Sequence, residues 1–199
     1  MKNSREPVRT RDSILRAARK EFAAKGFAGA RVEQIALRAG VSKQLLVHHF
    51  KSKERLYSEV HAVLSLPSLQ WEDDLPDDAA DLIADRFRKR VRNLDYVRLL
   101  TWEAAVVRNR TLPGEAERKK RVASFGKSIR LLQDAGRLPK SMDPRMLHLA
   151  IVSLASYPLS FTGITRLITG HNGTDARFQR DWNKFLRQLG NILLIVAKE

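Results

Sequence analysis

One stretch limits the folding choices of this chain more than any other: Val32-Glu33-Gln34-Ile35-Ala36-Leu37-Arg38-Ala39-Gly40-Val41-Ser42-Lys43-Gln44-Leu45-Leu46. Two short helices that meet at a steep angle need a small residue where their backbones approach, and Ala36 supplies it. The tight turn between them needs a residue that tolerates positive φ, which Gly40 does without a Cβ penalty. Ile35, Val41 and Leu46 then seal a miniature core. Each feature is common alone; the joint spacing of Ala36, Gly40 and Leu46 is specific.

The flanking sequence reads as helical throughout. Apolar residues recur at helical spacing, and no alternating run rich in Val, Ile and Thr appears. A first helix is expected from about Thr10 to Lys25, with Ile14, Leu15, Ala18 and Phe22 on one face and Gly26 as its stop. A second spans Val32 to Ala39. Ser42 can cap a third, which turns Leu46, His49 and Phe50 inward and ends near Lys51. Ser52 with Arg55 opens a fourth that reaches about Leu66, and the acidic stretch Pro67–Pro76, with Glu72, Asp73 and Asp74, reads as a loop. Further helices are expected near 77–91, 95–110, 115–135, 143–157 and 175–197.

Composition narrows the function. The 199 residues carry 37 Lys and Arg against 22 Asp and Glu, a formal net charge of +15, yet 43% are hydrophobic. That excludes a disordered polycation and points to an anionic partner, nucleic acid first. Charge density is highest in residues 1–60. With no cysteine, disulfide scaffolds, thiol nucleophiles and thiolate metal sites are excluded. The N-terminus lacks the apolar segment of a secretory signal. Met146–Thr165 is uncharged over nearly the length of a membrane span, but Pro158, Gly163 and several hydroxyls favour a buried helix ending near Tyr157.

Taken together, Ile14-Leu15-Arg16-Ala17-Ala18, Phe22-Ala23-Ala24-Lys25-Gly26-Phe27, Ile35-Ala36, Ala39-Gly40-Val41-Ser42 and His49-Phe50-Lys51-Ser52-Lys53-Glu54-Arg55-Leu56-Tyr57 resemble the DNA-binding domain of TetR-type transcriptional regulators. The resemblance covers about residues 10–57; beyond it the agreement is only that the chain is helical. It implies an all-α protein with a three-helix helix-turn-helix domain over residues 1–51 and a larger ligand-binding and dimerisation domain over 52–199. It implies a cytoplasmic homodimer, with each third helix in the major groove of a palindromic double-stranded operator and a small-molecule effector that releases DNA. No cofactor and no metal are expected.

The residues of the third helix support an interface on their own chemistry. With Leu46, His49 and Phe50 inward, Lys43, Gln44, Val47 and His48 face outward. Lys43 can donate to guanine, Gln44 suits adenine, and Val47 can pack on a thymine methyl. Solvated side chains are the plain alternative for all four. Lys53, at the start of the fourth helix, matches a lysine with which the family grips phosphate; Lys51, Arg5, Arg9 and Arg11 are vaguer phosphate candidates. The chain also departs from the family. Gln44, Leu45 and Val47 stand where Gly or Pro, Thr or Ser, and Tyr are frequent. Arg31 replaces a capping threonine: a charged phosphate donor, but no cap. Ser42 and His49 are further contact candidates, His49 through packing or one phosphate hydrogen bond rather than a metal.

In the C-terminal region, Asp143 and Pro144 open a helix well. The helices near 143–157 and 175–197 are apolar enough to form a dimeric four-helix bundle, with an internal core as the alternative. Tyr96, Leu99, Leu100, Trp102, Glu103, Phe125, Ile129 and Tyr157 are candidate effector-pocket residues. Trp102 beside Glu103 would suit a cation, unless Glu103 pairs with a nearby Arg; Arg98, Arg108, Arg130 and Arg137 would suit an anion. The basic run Arg86, Arg88-Lys89-Arg90, Arg92 looks like an extra nucleic-acid patch, but reads more simply as a solvated helix face paired with Asp81 and Asp85.

The sequence therefore predicts a ligand-responsive transcriptional regulator, most simply a repressor. No phosphate loop, zinc-protease helix or nucleophile elbow is present, so an enzyme is not expected. A non-sequence-specific architectural DNA-binding protein is the alternative; it would show weak discrimination and a steep salt slope.

Overall fold

A computed structural model describes residues 5–69, 76, 78–106 and 111–194. Among these residues every regular element is helical: α1 (Arg5–Gly29), α2 (Val32–Ala39), α3 (Lys43–Phe50), α4 (Lys53–Leu69), a 3-10 turn (Ala79–Asp81), α5 (Leu82–Val91), α6 (Leu94–Val106), α7 (Glu115–Asp134), α8 (Pro144–Ser160), α9 (Thr162–Thr169) and α10 (Ala176–Leu194). Of the loop expected over Pro67–Pro76, residues 67–69 are instead the end of α4, which runs past the expected stop at Leu66; Glu72, Asp73 and Asp74, together with Arg108 and Val196, lie outside the described residues. The same holds for the side chain of Arg5.

The residues form two compact units: 1–65 with 98–118, and 66–97 with 119–199. In the first, Ile14, Ala18 and Phe22 of α1 meet Ile35 and Ala36 of α2, Leu46 and Phe50 of α3, and Leu56, Tyr57 and Val60 of α4, all buried. Phe22 and Tyr57 pack edge to face with centroids 4.9 Å apart, and Phe27 meets Tyr57 at 5.2 Å. Such pairs add about 0.5–1.5 kcal/mol beyond their burial. Gly26 does break the first helix, at φ 67° and ψ 179°, but the chain winds on to Gly29 before it turns.

In the second unit, Phe87, Ile129, Ile151, Phe178 and Leu186 centre a core to which α5, α7, α8 and α10 contribute. Asp143 caps α8 by accepting from the amides of Arg145 and Met146 at 2.8 and 3.4 Å, with Pro144 in the first turn. The Arg145 guanidinium and these amides hold the Asp143 carboxyl well below its ordinary range. Gly190 touches the 3-10 turn so closely that a Cβ there would lie 2.1 Å from the Ala80 carbonyl oxygen.

Two expectations need correction. The helix expected to stop near Tyr157 continues to Ser160: Pro158 removes only its own amide from the ladder, and the Phe161 amide still closes the last turn on the Tyr157 carbonyl at 2.9 Å. The segment that follows is helical too. α9 is eight residues long, carries Gly163 and three threonines, and lies at 85° to α8, too short and too β-branched to be evident from periodicity. No single helix among the described residues is long and apolar enough to cross a membrane; only the bent α8–α9 pair has the composition.

The basic run on α5 is also not a solvated face. Arg86 and Arg90 are buried, since α5 packs against both α8 and α10. Asp85 pairs with Arg88 at i, i+3 and Lys89 at i, i+4, at 3.5 and 3.1 Å, as helical spacing predicts, and also with its neighbour Arg86 at 3.4 Å. Asp81 pairs with Arg187 of α10 instead. The Arg90 guanidinium lies 4.5 Å from the centre of the Tyr96 ring, and burial lowers its pKa.

Candidate nucleic-acid interface

The reading head is assembled by short-range chemistry around Gly40. Its φ of 69° places it in the left-handed region, where its amide reaches back to the carbonyls of Ala36 and Leu37 and ends α2. Val41 donates to the Ala36 oxygen at 3.0 Å. Ser42 then caps α3, its hydroxyl accepting from the Leu45 amide at 3.1 Å. Arg31 precedes α2 without a side-chain cap, as its chemistry requires.

Other elements hold this pair of helices in place. Ser13 of α1 donates to the Ala39 carbonyl at 3.1 Å. Glu21 of α1, fully buried, takes Lys25 at 2.9 Å and Arg38 of α2 at 3.3 Å. Burial would raise its pKa, but Lys25, the Arg31 amide and Arg38 outweigh that and hold the carboxyl below its ordinary value. Arg11 pairs with Glu59 of α4 and lies over the Phe50 ring at 5.3 Å, while Arg55 reaches Glu59 at 3.7 Å. Arg11 is therefore tied into the scaffold.

On α3, Leu46 and Phe50 are buried, His49 is half-buried, and Lys43, Gln44, Leu45, Val47 and His48 are exposed. That is the division expected from the sequence. The His48 and His49 rings meet at 5.8 Å, edge to face. Two engagements were not legible in the sequence. Lys43 forms an ion pair at 2.6 Å with Glu33 from the first turn of α2, which lowers the Glu33 pKa. Lys53 lies over the Phe27 ring at 4.8 Å and donates to the Ala28 carbonyl at 3.4 Å, tying the start of α4 to the end of α1. The opposite charges of Glu33 and Lys43 were the available signal for the first; only the turn geometry brings them together.

These features, an outward α3 mounted across a glycine turn on a rigid three-helix head, are those of the bacterial regulatory proteins of the tetR family, whose model matches residues 14–60. A second model, the tetracyclin repressor-like C-terminal domain, matches residues 77–189. The chain belongs to the TetR family. It is 29% identical to the HTH-type transcriptional repressor SCO4008 of Streptomyces coelicolor over 174 residues, 86% of this chain and 91% of the relative. It is 36% identical to the HTH-type transcriptional repressor NicS of Pseudomonas putida over 102 residues, 48% of each. In structure it resembles the putative transcriptional regulator SCO4942 of Streptomyces coelicolor, with a TM-score of 0.71, 25% identity, and 90% and 97% of the two chains covered. Salmonella enterica GusR shares the fold at a TM-score of 0.72, with 24% identity, 95% and 97% covered. The protein is thus a TetR-family transcriptional regulator, and its all-α architecture is the family's.

The candidate effector residues fall in both units. In the first, Leu99 is buried, Trp102 is partly exposed against the backbone at Gly26, and Glu103 is buried. Arg118 grips Glu103 with two hydrogen bonds of 2.7 and 2.8 Å, and the Tyr57 hydroxyl donates to it at 2.7 Å. The pairing of Glu103 with an arginine, one of the two sequence readings, is thereby filled by Arg118. In the second unit, Tyr96, Phe125 and Ile129 are buried, and Tyr157 is exposed and stacked on Phe161 at 4.9 Å. His148 stacks on Phe125 at 3.5 Å; burial, with Arg90 nearby, pushes its pKa down to about 4.

Proposed function

We propose that this TetR-family regulator is a ligand-responsive repressor that binds a palindromic operator in double-stranded DNA as a homodimer in the cytoplasm. The observation that carries the reading is α3 itself: capped by Ser42, anchored by Leu46 and Phe50, and presenting Lys43, Gln44, Val47 and His48 on one exposed face. Lys43 and Gln44 read base edges, Val47 and His48 complete the contact surface, and Arg31, His49 and Lys53 hold the phosphate backbone beside the helix. The relatives named as repressors support repression over activation. No catalytic role is assigned.

Dimerisation is supported by α8 and α10. Each buries one face, and each keeps a second apolar face exposed: Met146, Leu149 and Tyr157 on α8, Phe185 and Ile192 on α10. Two-fold pairing of such faces gives a four-helix bundle and two heads matched to a two-fold operator. The effector contacts are assigned to Leu99 and Trp102 in the first unit and to Tyr96, Phe125, Ile129 and Tyr157 in the second, each within its own unit; Glu103, already held by Arg118 and Tyr57, is given no such contact.

The test is DNA binding by the double variant Lys43→Ala/Gln44→Ala on duplexes that the native protein selects. The reading expects sequence preference to collapse while salt-dependent binding to any duplex persists. Retained preference in the double variant would remove α3 from the reading role.

A further inference from the structure

On the flank of the second unit, α5 and α10 border an open groove of about 850 Å³ that the DNA-reading function does not use. Arg88 enters it from α5 and Arg92 from the cap that follows α5, and Arg180, Lys184 and Arg187 from α10; the remaining polar groups are side-chain amides, and none of its lining residues is acidic. Asp85 compensates Arg88 at 3.5 Å, and Asp81 compensates Arg187. Arg92, Arg180 and Lys184 have no acidic partner among the described residues.

This arrangement works against the protein's own stability. Arg88 and Arg92, and Arg180 and Lys184, are like-charge pairs at i, i+4, and Lys184 and Arg187 follow at i, i+3. Such pairs weaken a helix. Here two helices present them towards the same space, although α10 has room on its other exposed faces. The apolar stripe assigned to dimerisation, Phe185 and Ile192, lies on a different side of α10 from Arg180, Lys184 and Arg187 at 100° per residue, so a dimer would leave the groove open. The volume is in the range of small-molecule sites, about 300–1,000 Å³, and a concave site of this size does not admit a duplex about 20 Å across.

We propose that the α5–α10 groove is a second ligand site, specific for small linear polyanions of the oligophosphate class, in which Arg92, Arg180 and Lys184 engage successive phosphoryl groups and the amides of Gln179 and Asn183 donate to the oxygens between them. Guanidinium groups suit this ligand because their planar fork donates two parallel hydrogen bonds to a phosphoryl group. Arg88 and Arg187, already neutralised by Asp85 and Asp81, shape the ends of the site rather than supply its charge.

The test is calorimetric titration of the full-length protein with inorganic tripolyphosphate at low salt. Arg180→Gln/Lys184→Gln is compared with Arg177→Gln/Arg166→Gln, which removes the same charge outside the groove. The proposal expects the groove variant to bind at least about tenfold more weakly, a change of about 1.4 kcal/mol, and the control variant to bind like the native chain. In this comparison, no binding by the native protein, equal weakening in both variants, or undiminished binding in the groove variant, which would place the anion elsewhere, would each overturn it. A parallel titration with random-sequence duplex separates the two sources of phosphate. If the groove variant loses duplex affinity as strongly as it loses tripolyphosphate, the groove is a nucleic-acid surface and the small-ligand assignment fails.

Discussion

Lys43 meets DNA already engaged with Glu33, and both side chains are more than half exposed. A pair in that setting contributes about 0.2–1 kcal/mol. A bidentate base contact discriminates by about 1–3 kcal/mol, so Lys43 can leave Glu33 for guanine at a net gain. Glu33→Gln should therefore strengthen binding to all duplexes while leaving the order of preferred sequences intact, as measured by fluorescence anisotropy on a panel of base-substituted sites. Lys53→Ala should weaken every sequence alike and reduce the salt slope by about one. His148 adds a pH signature. Its folded pKa of about 4 lies below the ordinary 6.5, so the folded state binds fewer protons than the unfolded state between those values. The stability it contributes is fully present above pH 6.5 and is lost as pH falls towards 4. His148→Gln should flatten the loss over that window in chemical denaturation, whereas Glu21 adds its own acid loss at lower pH in both proteins.

At the scale of elements, the glycine turn and the caps were legible because their causes are local. Gly40, Ser42 and the Ser52–Arg55 start of α4 each act within a few residues, and the structure realises all three. Contacts that join distant segments were not legible. Tyr57, Glu103 and Arg118 come from α4, α6 and α7, and only tertiary packing makes them one network. Removing the carboxylate deprives a largely buried guanidinium of two charge-assisted hydrogen bonds, so Glu103→Ala is expected to destabilise by about 3 kcal/mol. The double variant Glu103→Leu/Arg118→Met should recover a good part of that in the same urea titration. An equal loss in the double variant would mean that packing, not charge, holds the network. α9 escaped the sequence reading for another reason: its exposed apolar residues, among them Leu167 and Ile168, make no internal core. The buried Arg86 and Arg90 escaped because a charge run on an isolated helix gives no sign of a second helix covering it.

For the whole molecule, two properties must hold together: the head reads a base sequence, and two heads act together. Leu149, 60% exposed on α8, and Ile192, 78% exposed on α10, are the residues through which the second property can be broken without touching either core. Leu149→Glu/Ile192→Glu should sediment as a monomer with unchanged helicity and lose most of its affinity for a palindromic site, while its affinity for an isolated half-site stays close to that of one native head. The most direct measurement of the joint claim is selection of bound sequences from a random duplex pool by the native protein, followed by titration of the winning sequence against salt. One enriched palindrome is expected, with half-sites centred about one helical turn, or a multiple of it, apart, bound far more tightly than random duplex at every salt concentration. A pool that emerges unenriched, with binding that merely collapses as salt rises, would contradict it and leave an architectural DNA-binding protein in its place.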